Sequence, residues 1–137
     1  MDLKFHLALP CRDIGETLAF YRDVIQANLG RRAEKWLDVD LFGNQLTFTE
    51  SGNFNFEFKS YRLEDHILPS FHFGAIVPLD LWKSLYSRLM GLDLEIGAEV
   101  TFLKERPGEH LSFFVKDPNG YMVEFKSFRD SSQIFSS

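Results

Sequence analysis

The sequence predicts an α+β fold of two βαβββ modules, whose strands form a curved mixed sheet with the helices on one face. The chain repeats itself once. In each half an apolar strand containing a His ends in Pro, an amphipathic helix follows, and an Asp-x-x-Gly turn precedes the last strand. The chain has the length of a single domain, residues 1–137. We assign module 1 to about 1–52, a connector to about 53–69, module 2 to about 70–128 and a polar tail to 129–137.

The first strand of each predicted module carries one histidine. Residues 5–10 read Phe-His-Leu-Ala-Leu-Pro, and residues 71–78 read Phe-His-Phe-Gly-Ala-Ile-Val-Pro. Side chains alternate between the two faces of a strand. His6 and His72 therefore lie opposite the apolar residues on which the helices pack, and both histidines face the other side of the sheet.

Each first strand is followed by a predicted helix. Asp13 and Glu16 have the spacing of a capping box, and apolar residues recur after them at helical intervals. In the second half Asp80 is predicted to cap a helix whose apolar positions include Leu81, Leu85 and Leu89. Gly91 lies where a left-handed residue is expected to end that helix.

Turns precede the last strand of each half. Asp40 and Gly43 are spaced like Asp117 and Gly120, and in both halves Phe follows the Gly by five positions. Asp-Pro-Asn-Gly at 117–120 is a strong turn signal, because Pro presets φ and Gly accepts positive φ. The connector has Phe at 54, 56 and 58, an alternation that fits either an extra strand or an aromatic flap.

Composition and charge exclude several classes of protein. A net charge of −5 opposes the phosphate neutralisation that nucleic-acid binding requires. No apolar run reaches the roughly 20 residues of a membrane span, and the first residues do not resemble a signal peptide. Cys11 is the only cysteine, so an internal disulfide cannot form. We therefore expect a cytoplasmic protein that binds neither nucleic acid nor a membrane.

Three polar residues form a candidate metal site. In the last strand Glu124 shares its face with Lys126, and the repeat relates this strand to the one that carries Thr47. His6, His72 and Glu124 can thus converge on the side of the sheet away from the helices. Two His and one carboxylate bind non-haem Fe(II) and leave coordination sites open. The alternatives are hydrogen-bonded structural histidines and a Glu124 that pairs with Lys126.

Four motifs resemble the vicinal oxygen chelate superfamily, which includes glyoxalases, bleomycin resistance proteins and extradiol dioxygenases. They are Phe-His-Leu-Ala-Leu-Pro at 5–10, Thr-Leu-Ala-Phe-Tyr at 17–21, Asp-Leu-Phe-Gly-Asn-Gln at 40–45 and Asp-Pro-Asn-Gly-Tyr-Met-Val-Glu-Phe-Lys at 117–126. More narrowly, the chain is similar to small extradiol-dioxygenase-like members. The resemblance implies a concave cavity on the face of the sheet away from the helices, with metal ligands at His6, His72 and Glu124.

The chain departs from two patterns of that superfamily. Metal-dependent glyoxalases take a fourth ligand from the last strand of the first half, where the repeat places Thr47, a poor metal ligand. Ring-cleaving members carry a His and a Tyr near the metal as acid–base helpers. His110 and Tyr121 are the candidates for these catalytic roles. His110 precedes a strand in the half that contains Glu124, whereas strand alternation directs Tyr121 to the opposite face.

The resemblance implies a metal-dependent enzyme, with dioxygenation of a small catechol-like or vicinal-oxygen substrate as the preferred reaction. Fe(II) or Mn(II) is the preferred divalent metal, and Zn(II) or Ni(II) is possible. One alternative is a glyoxalase-like lyase or isomerase. Another, from a different class, is a non-catalytic protein that binds a drug or metabolite. A homodimer is expected because twofold pairs are the commonest soluble assemblies.

Overall fold

Two compact units make up the described part of the chain. The computed structural model describes residues 3–94 and 100–136. Unit 1 contains residues 3–57 and 117–120, and unit 2 contains the described residues of 58–116 and 121–136. Each unit contains one mixed sheet of four strands. The predicted α+β class and the two βαβββ modules are therefore confirmed.

The sheet of unit 1 places the first and last strands of the module side by side. Its strands are β1 His6–Cys11, β2 Asn28–Arg32, β3 Trp36–Leu41 and β4 Asn44–Glu50. The spatial order is β1, β4, β3, β2. β1 and β4 are parallel, and the other two pairs are antiparallel. This order follows from the connections, because a helix carries the chain to the far edge and two reversals bring it back to β1.

Unit 2 repeats this arrangement after a short hairpin. The hairpin strands are β5 Ser60–Leu63 and β6 His66–Pro69. The four strands of the sheet are β7 His72–Ile76, β8 Val100–Phe102, β9 His110–Lys116 and β10 Met122–Phe128. They lie in the order β7, β10, β9, β8, with β7 and β10 parallel. The hairpin occupies the second half of the predicted connector, whereas residues 51–59 have no regular secondary structure.

The first helix begins where the sequence predicts. Asp13 is the N-cap of α1, Ile14–Ala19, and its carboxylate accepts a hydrogen bond from the Glu16 amide at 2.8 Å. The chain continues directly into a π-helical turn at Phe20–Val24. This wider turn leaves Tyr21 fully buried, with its ring 5.1 Å from that of Phe48.

The second helix, α2, extends from Leu79 to Met90 and begins earlier than the predicted cap. Pro78 is its N-cap residue, and Asp80 lies in the first turn, where its charge favours the positive end of the helix dipole. Gly91 has φ −79°, so the predicted left-handed ending is wrong; a right-handed residue closes the last turn instead. Neither α1 nor α2, nor any other helix within 3–94 and 100–136, is long and apolar enough to cross a membrane.

Helix α2 packs on the apolar face of the unit 2 sheet. Trp82, Leu85 and Leu89 are buried. The Trp82 indole donates a hydrogen bond of 2.9 Å to the main-chain oxygen of Phe125 in β10. Burying a Trp without a partner for its N–H is costly, so this bond fixes how the helix lies on the strand. It leaves the opposite face of β10, with Glu124, away from the helix.

The turn between β9 and β10 is packed in unit 1. Gly120 has φ +91°, as the Asp-Pro-Asn-Gly pattern predicts. Asn119 accepts a hydrogen bond from the Arg12 amide and donates one to the Thr17 hydroxyl. The Tyr21 hydroxyl donates to Asp117 at 2.9 Å. Because these polar groups are buried, the bonds among them are needed to offset the loss of hydration.

The polar tail is more ordered than its composition suggests. Residues Ser131–Gln133 form a 3-10 turn capped by Asp130. The Gln133 side-chain oxygen accepts a hydrogen bond from the Gly108 amide at 3.0 Å. Main-chain bonding also continues past β10, where the Arg129 amide donates to the Glu109 oxygen. The tail is thereby attached to the loop that precedes β9.

Gly74 is required where β7 meets β10. A Cβ built on Gly74 would lie 2.6 Å from the Glu124 carbonyl carbon and 2.8 Å from its amide nitrogen. Such distances force the two strands apart.

We expect Gly74→Ala to lower the free energy of unfolding by about 2–3 kcal/mol. Ile76→Thr, at an exposed position of the same strand, is the control and should change it by less than about 0.5 kcal/mol. Urea titrations measure both, and equal stability of Gly74→Ala and wild type would contradict this account.

Candidate functional site

The two modules have the same register between their parallel strands. In unit 2, β7 residues His72 and Gly74 lie opposite Met122 and Glu124. In unit 1, β1 residues His6 and Ala8 lie opposite Gln45 and Thr47. In each module the histidine therefore lies two residues before the residue that pairs with Thr47 or with Glu124. The equivalence of Thr47 and Glu124 that the sequence repeat predicts is confirmed by these pairings.

His72 and Glu124 form the polar centre of unit 2. The distance from His72 Nε2 to Glu124 Oε2 is 3.6 Å, and the glutamate side chain is only 6% exposed. His72 Nδ1 lies 3.0 Å from the main-chain oxygen of Pro69. In a neutral imidazole this contact places the proton on Nδ1 and leaves the lone pair of Nε2 directed at the carboxylate.

Lys126 is the other charged neighbour of Glu124. Its Nζ lies 3.2 Å from Glu124 Oε1. A cavity of about 210 Å³ opens over this group and is lined by His72, Gly74, Ala75, Ile76, Glu124 and Lys126. Two basic groups and one buried carboxylate therefore face a small open volume.

His6 belongs to unit 1. It is the first residue of β1 and is exposed. Among the residues described within unit 2, no third His, Cys, Asp or Glu joins His72 and Glu124 at metal-binding distance. The structure thus brings together two of the three predicted ligands in one unit, and the three-residue metal site stays a prediction.

The two candidate acid–base residues occupy different environments. His110 lies opposite Phe128, on the face of Glu124 but four strand positions away, which corresponds to about 13 Å. Its ring stacks on Phe128 at 4.7 Å, and its Nδ1 is 2.9 Å from the Gly108 oxygen. Tyr121 is fully buried and packs against Phe71 and Phe73. Within unit 2 neither residue adjoins the His72–Glu124 pair.

Asp38 is a polar site residue that the sequence analysis missed. It lies in β3 opposite Thr47 and is 4% exposed. Its Oδ1 accepts a hydrogen bond from the Thr47 hydroxyl at 2.7 Å. Its Oδ2 accepts bonds from Arg31 Nε at 3.0 Å and Gln45 Nε2 at 3.3 Å. Thr47 is therefore a donor to a buried carboxylate.

A β-bulge brings Arg31 to Asp38. Leu29 pairs with Val39 and Arg32 with Leu37, so Gly30 and Arg31 together stand opposite Asp38. An extra residue of this kind re-aims a side chain and is frequent beside functional sites. The Arg31 guanidinium also lies 5.5 Å from the Trp36 ring. The sequence signal for Asp38 was the alternation of apolar and acidic residues in β3, Leu-Asp-Val-Asp-Leu at 37–41.

The hydrogen bonds to Asp38 determine its ionisation. Burial raises the pKa of this carboxyl, but the bonds from Thr47, Arg31 and Gln45 outweigh burial and hold the pKa below the ordinary aspartate value. Asp38 is therefore charged at neutral pH. A cavity of about 250 Å³ lies beside it and is lined by Lys4, Gly30, Arg31, Asp38, Val39, Asp40, Gly43, Asn44 and Gln45.

Comparison with known proteins places this arrangement in a family. The model of the glyoxalase/bleomycin resistance protein/dioxygenase superfamily, also known as the vicinal oxygen chelate superfamily, matches residues 5–125. The chain belongs to this superfamily. The match includes both modules and the strands that carry His6, His72 and Glu124. No curated protein matches the chain.

Solved structures of superfamily proteins share the fold. A member from Alicyclobacillus acidocaldarius is 26% identical with a TM-score of 0.81, covering 98% of this chain and 97% of that one. The fosfomycin resistance protein FosX from Listeria monocytogenes is 15% identical with a TM-score of 0.69, covering 98% and 99%. A FosX mutant complexed with Mn(II) and 1S,2S-dihydroxypropylphosphonic acid is 16% identical with a TM-score of 0.62, covering 91% and 89%.

The Thr47–Asp38 bond predicts a pH-dependent loss of stability. The pKa of Asp38 is lowered in the folded chain. Its contribution to the free energy of unfolding is therefore fully present above the unfolded pKa of about 3.9, and it is lost as the pH falls through the folded pKa. Thr47→Val should lower the free energy of unfolding by about 1.5–3 kcal/mol at pH 7. The deficit should begin to shrink as the pH falls below about 3.9, where the carboxyl of the unfolded chain protonates, and should be lost as the pH falls through the lower folded pKa of Asp38.

The control is Thr49→Val, because Thr49 is exposed on the same face of β4. Urea unfolding of wild type and both variants between neutral pH and pH 3 measures the deficit. A Thr47→Val deficit that is constant over this range would show that Asp38 is not the partner that matters.

Proposed function

We propose that the chain is a metal-dependent enzyme in which His6, His72 and Glu124 bind one divalent ion. The observation that carries the proposal is the approach of His72 Nε2 to Glu124 Oε2 at 3.6 Å, with His72 Nδ1 engaged by a main-chain oxygen. Metal-binding histidines characteristically donate their second N–H to a carbonyl or carboxylate in this way. The orientation of His72 is thus the one that a metal ligand needs.

A cation between His72 and Glu124 would favour their contact. At 3.6 Å the two atoms are beyond hydrogen-bond distance. With the proton on Nδ1, two lone pairs face each other, which is unfavourable unless a cation lies between them or His72 is protonated. Two atoms that are each about 2.1 Å from one ion lie about 3.0–3.5 Å apart. The observed separation is close to that range, so small side-chain movements would accommodate an ion.

The donor set suits a catalytic divalent metal. Neutral imidazole nitrogens and one carboxylate are the ligands of non-haem Fe(II) sites with open positions. We therefore favour Fe(II) or Mn(II), with Zn(II) and Ni(II) as possible substitutes. The Mn(II) complex of FosX with a small dihydroxy compound supports a metal in this fold. When bound, the metal would polarise substrate oxygens and accept dioxygen beside them.

We propose dioxygenation of a small catechol-like or vicinal-oxygen compound as the reaction. A glyoxalase-like lyase would require a fourth ligand at Thr47, yet the Thr47 hydroxyl already donates to Asp38 at 2.7 Å. A three-ligand site leaves more open positions for substrate and dioxygen, and so favours the dioxygenase over the lyase or isomerase. Lys126 lines the cavity next to Glu124 and can hold an anionic substrate oxygen there.

The second candidate is a non-catalytic protein that binds a drug or metabolite. The ion pair between Lys126 Nζ and Glu124 Oε1 favours it, since a lysine already supplies a positive charge to the buried carboxylate at 3.2 Å. In that case the cavity over His72 and Glu124 would bind its ligand through these side chains alone. Metal content and metal affinity distinguish the two candidates.

The first functional prediction concerns metal stoichiometry. Purified chain titrated with Mn(II) or Fe(II) should bind one ion, measured by calorimetry and elemental analysis. His6→Ala, His72→Ala and Glu124→Gln should each weaken binding by at least about a hundredfold, because loss of a direct ligand exceeds the tenfold to hundredfold effect of its supporting residues.

Two further variants are controls. His66→Ala removes a half-buried histidine that packs on Phe102, and it should leave the affinity unchanged. Lys126→Met removes the competing charge on Glu124 and should raise the affinity. A wild-type chain that stays metal-free at excess metal, and remains so in Lys126→Met, would favour the binding protein.

The next prediction concerns the reaction class. Anaerobically Fe(II)-loaded chain should consume oxygen when a catechol is added, as followed with an oxygen electrode, and hemithioacetal isomerisation should be negligible. Glu124→Gln should abolish oxygen consumption, whereas His66→Ala should not. An oxygen-independent lyase activity with Ni(II) or Zn(II) would reverse the order of the two enzyme candidates.

A further inference from the structure

The cavity beside Asp38 in unit 1 has features of a second recognition site. Gln45, which lines this cavity, is the strand partner of the predicted ligand His6. The cavity has a volume of about 250 Å³. Since an apolar cavity of about 150 Å³ holds benzene, this volume suffices for a group of one ring or a short acid.

Arg31 makes two contacts beside this cavity, and its side chain is 76% exposed. Its Nε donates to Asp38 at 3.0 Å, and its guanidinium lies 5.5 Å from the Trp36 ring. No protein acceptor among residues 3–94 and 100–136 contacts the two Nη atoms. A guanidinium fixed on one edge presents its other edge for a bidentate bond to a carboxylate. These two contacts restrict the side chain in part, which lowers the conformational entropy lost on binding.

The charges at the cavity favour an anion over a cation. Lys4 and Arg31 both line it, and so do Asp38 and Asp40. The two oxygens of Asp38 already accept three side-chain bonds. Asp40 Oδ1 accepts the Gly43 amide at 2.7 Å. The carboxylates are thus engaged within the protein, whereas the Nη edge of Arg31 has no protein acceptor among residues 3–94 and 100–136.

The bulge in β2 makes the site accessible. Gly30 shares with Arg31 the position opposite Asp38, and a Cβ on Gly30 would lie 3.2 Å from Asp38 Cβ. A side chain there would crowd Asp38. Glycine at position 30 and arginine at 31 together provide open space and an oriented donor.

We infer that this cavity binds a small carboxylic acid, whose carboxylate pairs with the Nη edge of Arg31. The inference rests on Arg31, its contacts and the cavity within unit 1, and is independent of the proposed metal-dependent function. The Arg31–Asp38 pair therefore selects acids over neutral analogues.

The first experiment uses metal-free protein in the presence of a chelator, with benzoate as probe and benzamide as its neutral counterpart. Nitrogen-15 NMR follows the Arg31 Nε–H signal. Benzoate should shift this signal saturably and benzamide should not. Arg31→Met should weaken benzoate binding by about tenfold or more, because a charge-assisted bond is lost. Arg32→Met, the neighbouring exposed arginine, should bind like wild type.

Absence of a saturable shift, or unchanged benzoate affinity in Arg31→Met, would overturn the inference. In the second experiment, wild type and Arg31→Met are titrated with Mn(II), and Arg31→Met should bind the metal like wild type because Arg31 is not one of the proposed ligands. Benzoate binding without metal binding would retain the carboxylate site and overturn the metal-dependent function. Metal binding without benzoate binding would retain the metal-dependent function and overturn the carboxylate site.

Discussion

The parallel pairing of the first strand of each module with its last strand is the constraint on which the rest of the structure depends. In unit 2 it places His72 and Glu124 in reach of each other, although they are far apart in sequence. In unit 1 the same pairing places His6 beside Gln45. A slip of one residue would turn every side chain of a strand to the other face and bury the polar residues in the core. The register and the positions of the candidate ligands are thus fixed together.

Each module buries one carboxylate on the face away from its helix, and each carboxylate is compensated differently. Asp38 accepts bonds from a hydroxyl, an amide and a guanidinium, which together keep it charged. Of the described groups, the His72 imidazole and the Lys126 ammonium group lie against the Glu124 carboxylate. A buried charge is tolerated only when it is well paired and hydrogen-bonded. Asp38 is saturated by bonds from the protein and contacts Arg31, whereas Glu124 is the carboxylate to which we assign the proposed metal ion.

Much of the fold was predictable because the repeat encodes it locally. The strand that carries the His, the Asp13 cap and the turn at Asp117–Gly120 are short-range signals, and the structure confirms each of them. The start of α2 was misplaced because Pro78 fixes the helix entry without any side-chain cap. Asp38 was missed because its contact with Arg31 depends on a bulge in a neighbouring strand, and no local sequence pattern indicates that bulge. The proximity of His72 to Glu124 followed from the repeat, whereas the partners of Thr47 required the three-dimensional pairing.

The support of His72 has a consequence for how the sequence can change. The acceptor of its Nδ1 is the main-chain oxygen of Pro69, at the end of the β5–β6 hairpin. Every amino acid supplies the same oxygen, so no substitution at position 69 deletes the acceptor as such. Only a displacement of the backbone, for example an insertion in the hairpin, would remove it. This part of the site is therefore tolerant of point mutations and sensitive to changes in loop length, and a residue-by-residue comparison of sequences would not reveal it.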